Sequence, residues 1–113
     1  MEADNFRNLH MISSELRQIN AFTANTDFEE FAFNRMKYYA VAMAFINVGE
    51  HVKRLSNSFV AKNKEVAWSE WARFRDVIAH NFAACRHSDM WCVVTTEVPP
   101  FRLQILRLLS EME

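Results

Sequence analysis

The chain has 113 residues, half of them apolar and 24% charged, and this composition predicts a single globular domain over residues 1–113. The formal net charge of −1 excludes a protein that coats nucleic acid through a broad basic surface, so any such contact must come from a local basic cleft. One glycine and two prolines leave few turning points, which argues against β-hairpins.

The first predicted helix covers residues 4–24, where apolar side chains recur at helical spacing and form one stripe. The stripe consists of Phe6, Leu9, Ile12, Leu16, Ile19 and Phe22. A turn follows at residues 25–27, in which Thr26 and Glu29 form a predicted capping box for the second helix. That helix is predicted to reach residue 59 with a kink near Arg35. Gly49 lowers its helix propensity, so we expect another helix to approach closely there.

Three further helices complete the predicted fold. A polar connector at residues 60–65 precedes a third helix at 66–82, a fourth at 88–98 and a fifth at 100–112, whose first turn contains Pro100. The sequence therefore predicts an all-α, up-and-down bundle of four to five helices.

The apolar runs, the N-terminal residues and the cysteines indicate where in the cell the protein is found. No run of apolar residues is long enough to span a membrane, and the acidic start does not match a signal peptide. Cys85 and Cys92 belong to no disulfide framework, so we expect free thiols in a reducing compartment and a cytoplasmic protein.

The segment from Arg75 to Phe82 contains the candidate chemistry. Arg75 offers a permanent cation with a planar donor fork suited to phosphate, and His80 can exchange protons near neutral pH. Together they are the minimum set of groups for cleaving a phosphodiester without a metal, since one holds the charge and the other moves protons. Five residues at ~100° each place His80 about 140° around the helix from Arg75. A loosened helix end, the long arginine side chain or a dimer would have to bring the two together.

Each neighbouring residue has two interpretations. Arg75 lies in an aromatic stripe, so it either lines a cleft or forms a structural ion pair, for example with Glu50. Asp76 is placed either to hold the His80 imidazole or to pair with Arg73 on the surface. Asn81 either positions a phosphate oxygen or caps the helix.

Four basic residues and a group of His and Cys side chains are candidates for a phosphate-binding rim and a metal site, respectively. Lys53, Arg54, Arg73 and Arg86 are candidates for holding RNA phosphates, although a solvated surface explains many such cations. The spacing of His80, Cys85 and His87 matches no standard zinc pattern, so we expect neither a metal site nor another cofactor.

Over residues 6–109 the chain resembles the HepT-like ribonuclease toxins of the HEPN superfamily. The resemblance rests on five segments in a fixed order. Its motifs are Thr26-Asp27-Phe28-Glu29-Glu30-Phe31, Ile46-Asn47-Val48-Gly49-Glu50, Lys53-Arg54-Leu55, Arg75 to Phe82, and Trp91. The fourth is similar to the family's R-x4-H-x-Y pattern, with Phe82 in the place of the tyrosine.

The resemblance implies a metal-independent endoribonuclease that acts as the toxin of a HEPN/MNT toxin–antitoxin pair. Arg75 and His80 would be catalytic, with Asp76, Asn81 and Phe82 in support. It also implies a homodimer with clefts near the subunit contact, an RNA substrate and an MNT-type nucleotidyltransferase antitoxin. In relatives the partner attaches AMP to the motif tyrosine. Phe82 offers no acceptor oxygen, so we expect neutralisation by occlusion or by modification elsewhere, with Tyr38 and Tyr39 as the tyrosines available.

Two other functions fit the same sequence. The departure at Phe82 and the near-neutral charge favour a non-catalytic HEPN-like binding module that docks a nucleotidyltransferase. The third hypothesis is a helical domain whose only function is dimerisation.

Overall fold

The computed structural model describes residues 2–113 and the side chains from residue 4 onward, and throughout this part the fold is helical and contains no strand. This confirms the predicted all-α class. The α-helices are α1 (Glu2–Thr23), α2 (Phe28–Phe33), α3 (Arg35–Lys53), α4 (Asn57–Lys62), α5 (Trp68–His80), α6 (His87–Cys92) and α7 (Val98–Met112). A 3₁₀ turn at Phe82–Ala84 follows α5, and a π-helical segment at Val93–Glu97 joins α6 to α7.

Helix α3 runs opposite to both α1 and α5, as an up-and-down bundle requires. Near the start of α1, Asn5 bonds to Ser56, just beyond the end of α3. The start of α3 meets the segment after α5 through the rings of Tyr38 and Phe82. The α1 stripe supplies Leu9, Ile12, Leu16 and Ile19 to the core, all fully buried, while Phe6 and Phe22 are half-buried at its edge.

The predicted second helix is wrong in its extent. The chain breaks at Asn34, close to the predicted kink at Arg35, because Asn34 adopts an extended conformation and its side chain accepts a hydrogen bond from the Lys37 amide. It breaks again after Lys53. The predicted connector is also partly helical, since α4 reaches Lys62.

The predicted capping box is also wrong. Asp27, rather than Thr26, is the N-cap of α2, and its carboxylate accepts a hydrogen bond from the Glu30 amide at 2.9 Å. A carboxylate at this position also favours the positive end of the helix dipole, which a hydroxyl cannot match.

The third helix is shorter than predicted, whereas the fourth and fifth join. Helix α5 begins at Trp68 and ends at His80. The predicted gap at residue 99 does not exist, because the Val98 amide bonds to the Val93 carbonyl five residues back. This π-type turn shifts the hydrogen-bond register just before Pro99 and Pro100, which lack amide hydrogens. In residues 2–113 no helix combines the length and apolar character needed to cross a membrane.

Candidate active site

Helices α3 and α5 are in close contact where Gly49 meets Arg75. A Cβ atom added to Gly49 would lie 2.1 Å from the Arg75 Cβ and 2.8 Å from its Cγ. No other residue type fits this contact without moving a helix. The close approach predicted at Gly49 is confirmed, and it fixes the base of the arginine side chain.

The Arg75 guanidinium lies in a network of alternating charges. Its side chain is 20% exposed, and its terminal nitrogens donate to Glu50 Oε1 at 2.8 Å and to Asp76 Oδ1 at 3.2 Å. Lys53 donates to the same Asp76 oxygen. The ion pair with Glu50, one of the two interpretations of the sequence, is therefore present.

This network leaves donors on Arg75 unused. Guanidinium has five N–H groups, and the buried Arg75 Nε has no hydrogen-bond partner. The hydrogen bond from Lys53, followed by that from Arg75, lowers the pKa of the Asp76 carboxyl below its usual value. The two cations and the two carboxylates of this network sum to zero formal charge.

His80 is the last residue of α5 and its side chain is exposed. Asp76, which the sequence placed one turn away to hold the imidazole, bonds instead to Lys53 and Arg75, so that predicted contact is wrong. Charge-assisted hydrogen bonds from Lys53 and Arg75 therefore occupy the carboxylate. The alternative pairing of Asp76 with Arg73 is not formed either, and Arg73 lies about 200° around α5 from Arg75.

The residues after His80 turn the chain sharply. The Asn81 amide bonds to the Val77 carbonyl and ends α5, and the Asn81 carbonyl accepts from the Ala84 amide at 3.0 Å. This is the helix-capping interpretation of Asn81. The turn directs the half-buried Phe82 ring between Tyr38 and Tyr39, at centroid distances of 5.5 and 5.3 Å. No pattern in the sequence predicts this aromatic contact, because it joins residues more than 40 positions apart.

The predicted basic rim is not continuous. Lys53 belongs to the Arg75 network, while Arg54 caps the end of α3 through its backbone amide. Arg73 and Arg86 are exposed, and Arg73 lines a different groove, between α5 and α6. Among the described residues no three His, Cys, Asp or Glu side chains are close enough to hold a metal ion, so His80, Cys85 and His87 form no such cluster.

Comparisons with known proteins place the chain in a family. The family model described as Ribonuclease HepT-like matches residues 12–108. "Putative RNase MJ0127" of Methanocaldococcus jannaschii is 29% identical over 93% of this chain and 87% of its own length. "Probable ribonuclease HepT" of Thermococcus cleftensis is 29% identical over 83% of this chain and 86% of its own length. No solved structure gives a significant match.

Proposed function

Because the chain belongs to the HepT-like ribonuclease family, we propose that it is a metal-independent endoribonuclease and the toxin of a HEPN/MNT pair. The observation that supports this proposal is the Arg75 network. A cation anchored against Gly49, with unused hydrogen-bond donors, lies about 1.4 helical turns from an exposed histidine at a helix end.

In the proposed reaction the 2′-hydroxyl of RNA attacks the adjacent phosphorus, and the bond from phosphorus to the 5′-oxygen breaks. His80 serves as the general base or acid, either taking the 2′-proton or supplying one to the leaving oxygen. Arg75 stabilises the negative charge that develops on the phosphorane. The products are a cyclic phosphate and a free 5′-hydroxyl, so no external reactant is needed. Single-stranded or looped RNA suits this geometry, because its 2′-hydroxyl can move into line.

Arg75 and His80 lie about 7.5 Å apart along α5 as well as on different faces. We propose that a homodimer completes the cleft. Met36 and Met43 lie two turns apart on one face of α3 and are 81% and 54% exposed. Large exposed apolar side chains of this kind are typical of an interface. Met36→Glu and Met43→Glu should give monomers in light scattering and lower cleavage. A dilute wild-type protein that is monomeric and fully active would contradict the composite cleft.

An MNT-type nucleotidyltransferase is the proposed antitoxin, acting by occlusion. If it modifies a tyrosine, the candidates differ in access, since Tyr38 is buried and Tyr39 is 51% exposed. Co-expression with such a partner, followed by mass spectrometry, distinguishes the mechanisms. AMP in stoichiometric amount on Tyr38 or Tyr39 would reject occlusion as the sole mechanism. Phe82→Tyr should gain an adduct if the partner presents its active site to this motif, and an unmodified variant beside an active partner would contradict that docking.

The direct test of the proposed activity is cleavage of unstructured RNA by the purified protein in EDTA. We expect the wild type to cleave and His80→Ala to lose cleavage. His10→Ala is the matched control, since His10 is also exposed but lies on α1. Activity that needs an added divalent ion would reject the metal-free mechanism. No cleavage by the wild type under any condition would reject the enzyme.

The second candidate is a binding module that docks a nucleotidyltransferase without cleaving RNA. It is favoured by the carboxylates of Glu50 and Asp76, which neutralise Arg75 and Lys53 in the absence of RNA. If wild type and His80→Ala act identically on RNA and in cells, this function replaces the first.

A further inference from the structure

A groove of about 430 Å³ opens beside the turn that follows α5, within the size range of small-molecule sites. Its walls combine aromatic rings with a guanidinium group and contain no carboxylate. The lining residues are Arg35, Tyr38, Tyr39, Phe82, Ala83, Cys85 and His87.

The rings form a continuous series. Phe82 contacts both tyrosines, and the His87 ring lies against Tyr38, tilted by 35°, with centroids 4.2 Å apart. Tyr38 is buried and its hydroxyl donates to the Cys85 carbonyl at 3.4 Å, so this ring forms a fixed floor. Tyr39 is 51% exposed in the isolated subunit and borders the α3 face of Met36 and Met43, so its ring lies at the edge of the proposed subunit contact, where the groove opens to a ligand.

Arg35 adds a positive charge at the same place. It donates to the Tyr39 hydroxyl at 3.0 Å and lies 5.6 Å from the centroid of that ring. The side chain is exposed, and one hydrogen bond leaves most of its five N–H donors available for a phosphate. The nearby carboxylate of Asp89 lines the neighbouring groove rather than this one.

That neighbouring groove, between α5 and α6, has a similar volume of about 400 Å³ but the opposite charge. Glu70, Asp89 and Glu97 face Arg73 there, which leaves a formal charge of −2 along its walls. A polyanion is repelled from such a surface and attracted to the groove beside Arg35.

We propose that the groove of Arg35, Tyr39 and Phe82 binds one unpaired RNA base, stacked on the exposed tyrosine, with an adjacent phosphate on Arg35. Every base presents a π-face, so stacking of this kind tolerates any sequence and requires an unpaired strand. The inference rests on the proposed function for the identity of the polymer as RNA. Phe82 follows His80 by two residues, which keeps their Cα atoms within about 7 Å. A base held there lies next to the bond that His80 would act on.

The test measures binding without cleavage. The probe is a single-stranded hexanucleotide, fully 2′-O-methylated so that it has no attacking hydroxyl, and its affinity for the full-length protein is followed by fluorescence anisotropy. Tyr39→Leu should weaken binding roughly 5- to 150-fold, the effect of losing one base–aromatic stack. Tyr39→Phe keeps the ring, so its affinity for the probe should stay within about threefold of the wild-type value. Val77→Ala, half-exposed in the acidic groove, is the matched control and should leave affinity unchanged.

A hexanucleotide that lacks every base distinguishes stacking from a general loss of binding. Tyr39→Leu should cost little affinity for this abasic probe, because it has no base left to stack. Arg35→Gln should reduce the slope of log affinity against log salt by about 0.7, as for one phosphate contact to a single strand, and the exposed Lys62→Gln should not.

The inference is overturned if the wild type does not bind the probe, or if Tyr39→Leu binds as tightly as the wild type. It is also overturned if Tyr39→Leu loses the same factor with the fully abasic probe as with the intact one. These outcomes do not depend on catalysis, since the probe cannot be cleaved. A protein that binds through Tyr39 but never cuts RNA would reject the proposed nuclease and support the groove.

Discussion

The polar side chains on the two sides of α3 differ in charge and in how fully they are hydrogen-bonded. Against α1, Asn8 donates to the Asp4 carbonyl, so its amide oxygen faces His51 and accepts from Nδ1 at 2.9 Å. Against α5, Arg75 is charged and half-buried, and it keeps an unpartnered Nε. Neutral groups with complete hydrogen bonds stabilise a helix contact, whereas a cation with spare donors can still bind a ligand. The contact between α1 and α3, here called the α1 seam, is therefore structural. The contact between α3 and α5, here called the α5 seam, is the candidate catalytic one.

The largest expected effect tests the α5 side. Arg75→Ala should lower the rate of RNA cleavage by about 10²–10³-fold, as for loss of one group that stabilises transition-state charge. The cleavage rate of Arg75→Lys should lie between those of the wild type and Arg75→Ala, because an ammonium keeps the charge but lacks the planar fork. Arg7→Ala, an exposed arginine on α1, is the control for lost charge. Full activity in Arg75→Ala would mean that this seam is structural too.

Gly49→Ala should affect both stability and cleavage. The added methyl group overlaps the Arg75 Cβ and forces α3 and α5 apart, which costs about 1–3 kcal/mol of unfolding free energy. The clash involves the Cβ, which alanine retains, so the same loss should recur in an Arg75→Ala background. Denaturant unfolding of the four proteins measures it. A much smaller loss in that background would show that the outer part of the arginine side chain, rather than the helix spacing, is the constraint.

The α1 side should lose stability alone. Asn8→Ala leaves the half-buried His51 donor without its acceptor and should cost about 1–3 kcal/mol, while the folded protein cleaves RNA at the wild-type rate. Asn20→Ala, at an exposed position of α1, should change stability by less than about 0.5 kcal/mol. A cleavage defect in folded Asn8→Ala would erase the distinction between the two seams.

The α1 side should also respond to mild acid. Burial, reinforced by Arg54, lowers the pKa of His51 below 6.5, although Glu15 and Glu50 oppose the shift. Unfolding therefore takes up a proton, and stability should fall as the pH drops through 6.5 and level off below the folded-state pKa. In His51→Gln this part of the pH dependence should vanish. Thermal midpoints of the wild type and His51→Gln, measured between pH 8 and 5, provide the comparison. Parallel curves for the two proteins would show that His51 is not the source of the pH dependence.

The smallest effect concerns Asp76. Its pKa is lowered chiefly by the hydrogen bond from Lys53, so its contribution to stability is present above pH 3.8 and is lost as the pH falls through its folded-state value. Asp76→Asn should therefore differ from the wild type at pH 7 and converge with it in strong acid. A difference in thermal midpoint that is unchanged at pH 2 would rule out the charge as its origin.

Where the sequence prediction succeeded, the signal was local or steric. The α1 stripe was readable because burial repeats with the helical period, and Gly49 was readable because glycine inside a helix is costly unless something lies against it. The extent of the second helix was misjudged because apolar residues continue in helical phase across Asn34. The cap formed by Asn34 interrupts the backbone without interrupting that pattern.

The sequence by itself determined the all-α class, the core stripe of α1 and the place where two helices touch, since each follows from periodicity or from a missing Cβ. It also supplied the two residues of the candidate chemistry. Only the tertiary structure decided that Asp76 bonds to Lys53 and Arg75 rather than to His80, and that Phe82 lies between Tyr38 and Tyr39. Those contacts join α3 to α5 and to the turn beyond it, and they depend on how closely and at what angle the helices pack, which no local pattern in the chain records.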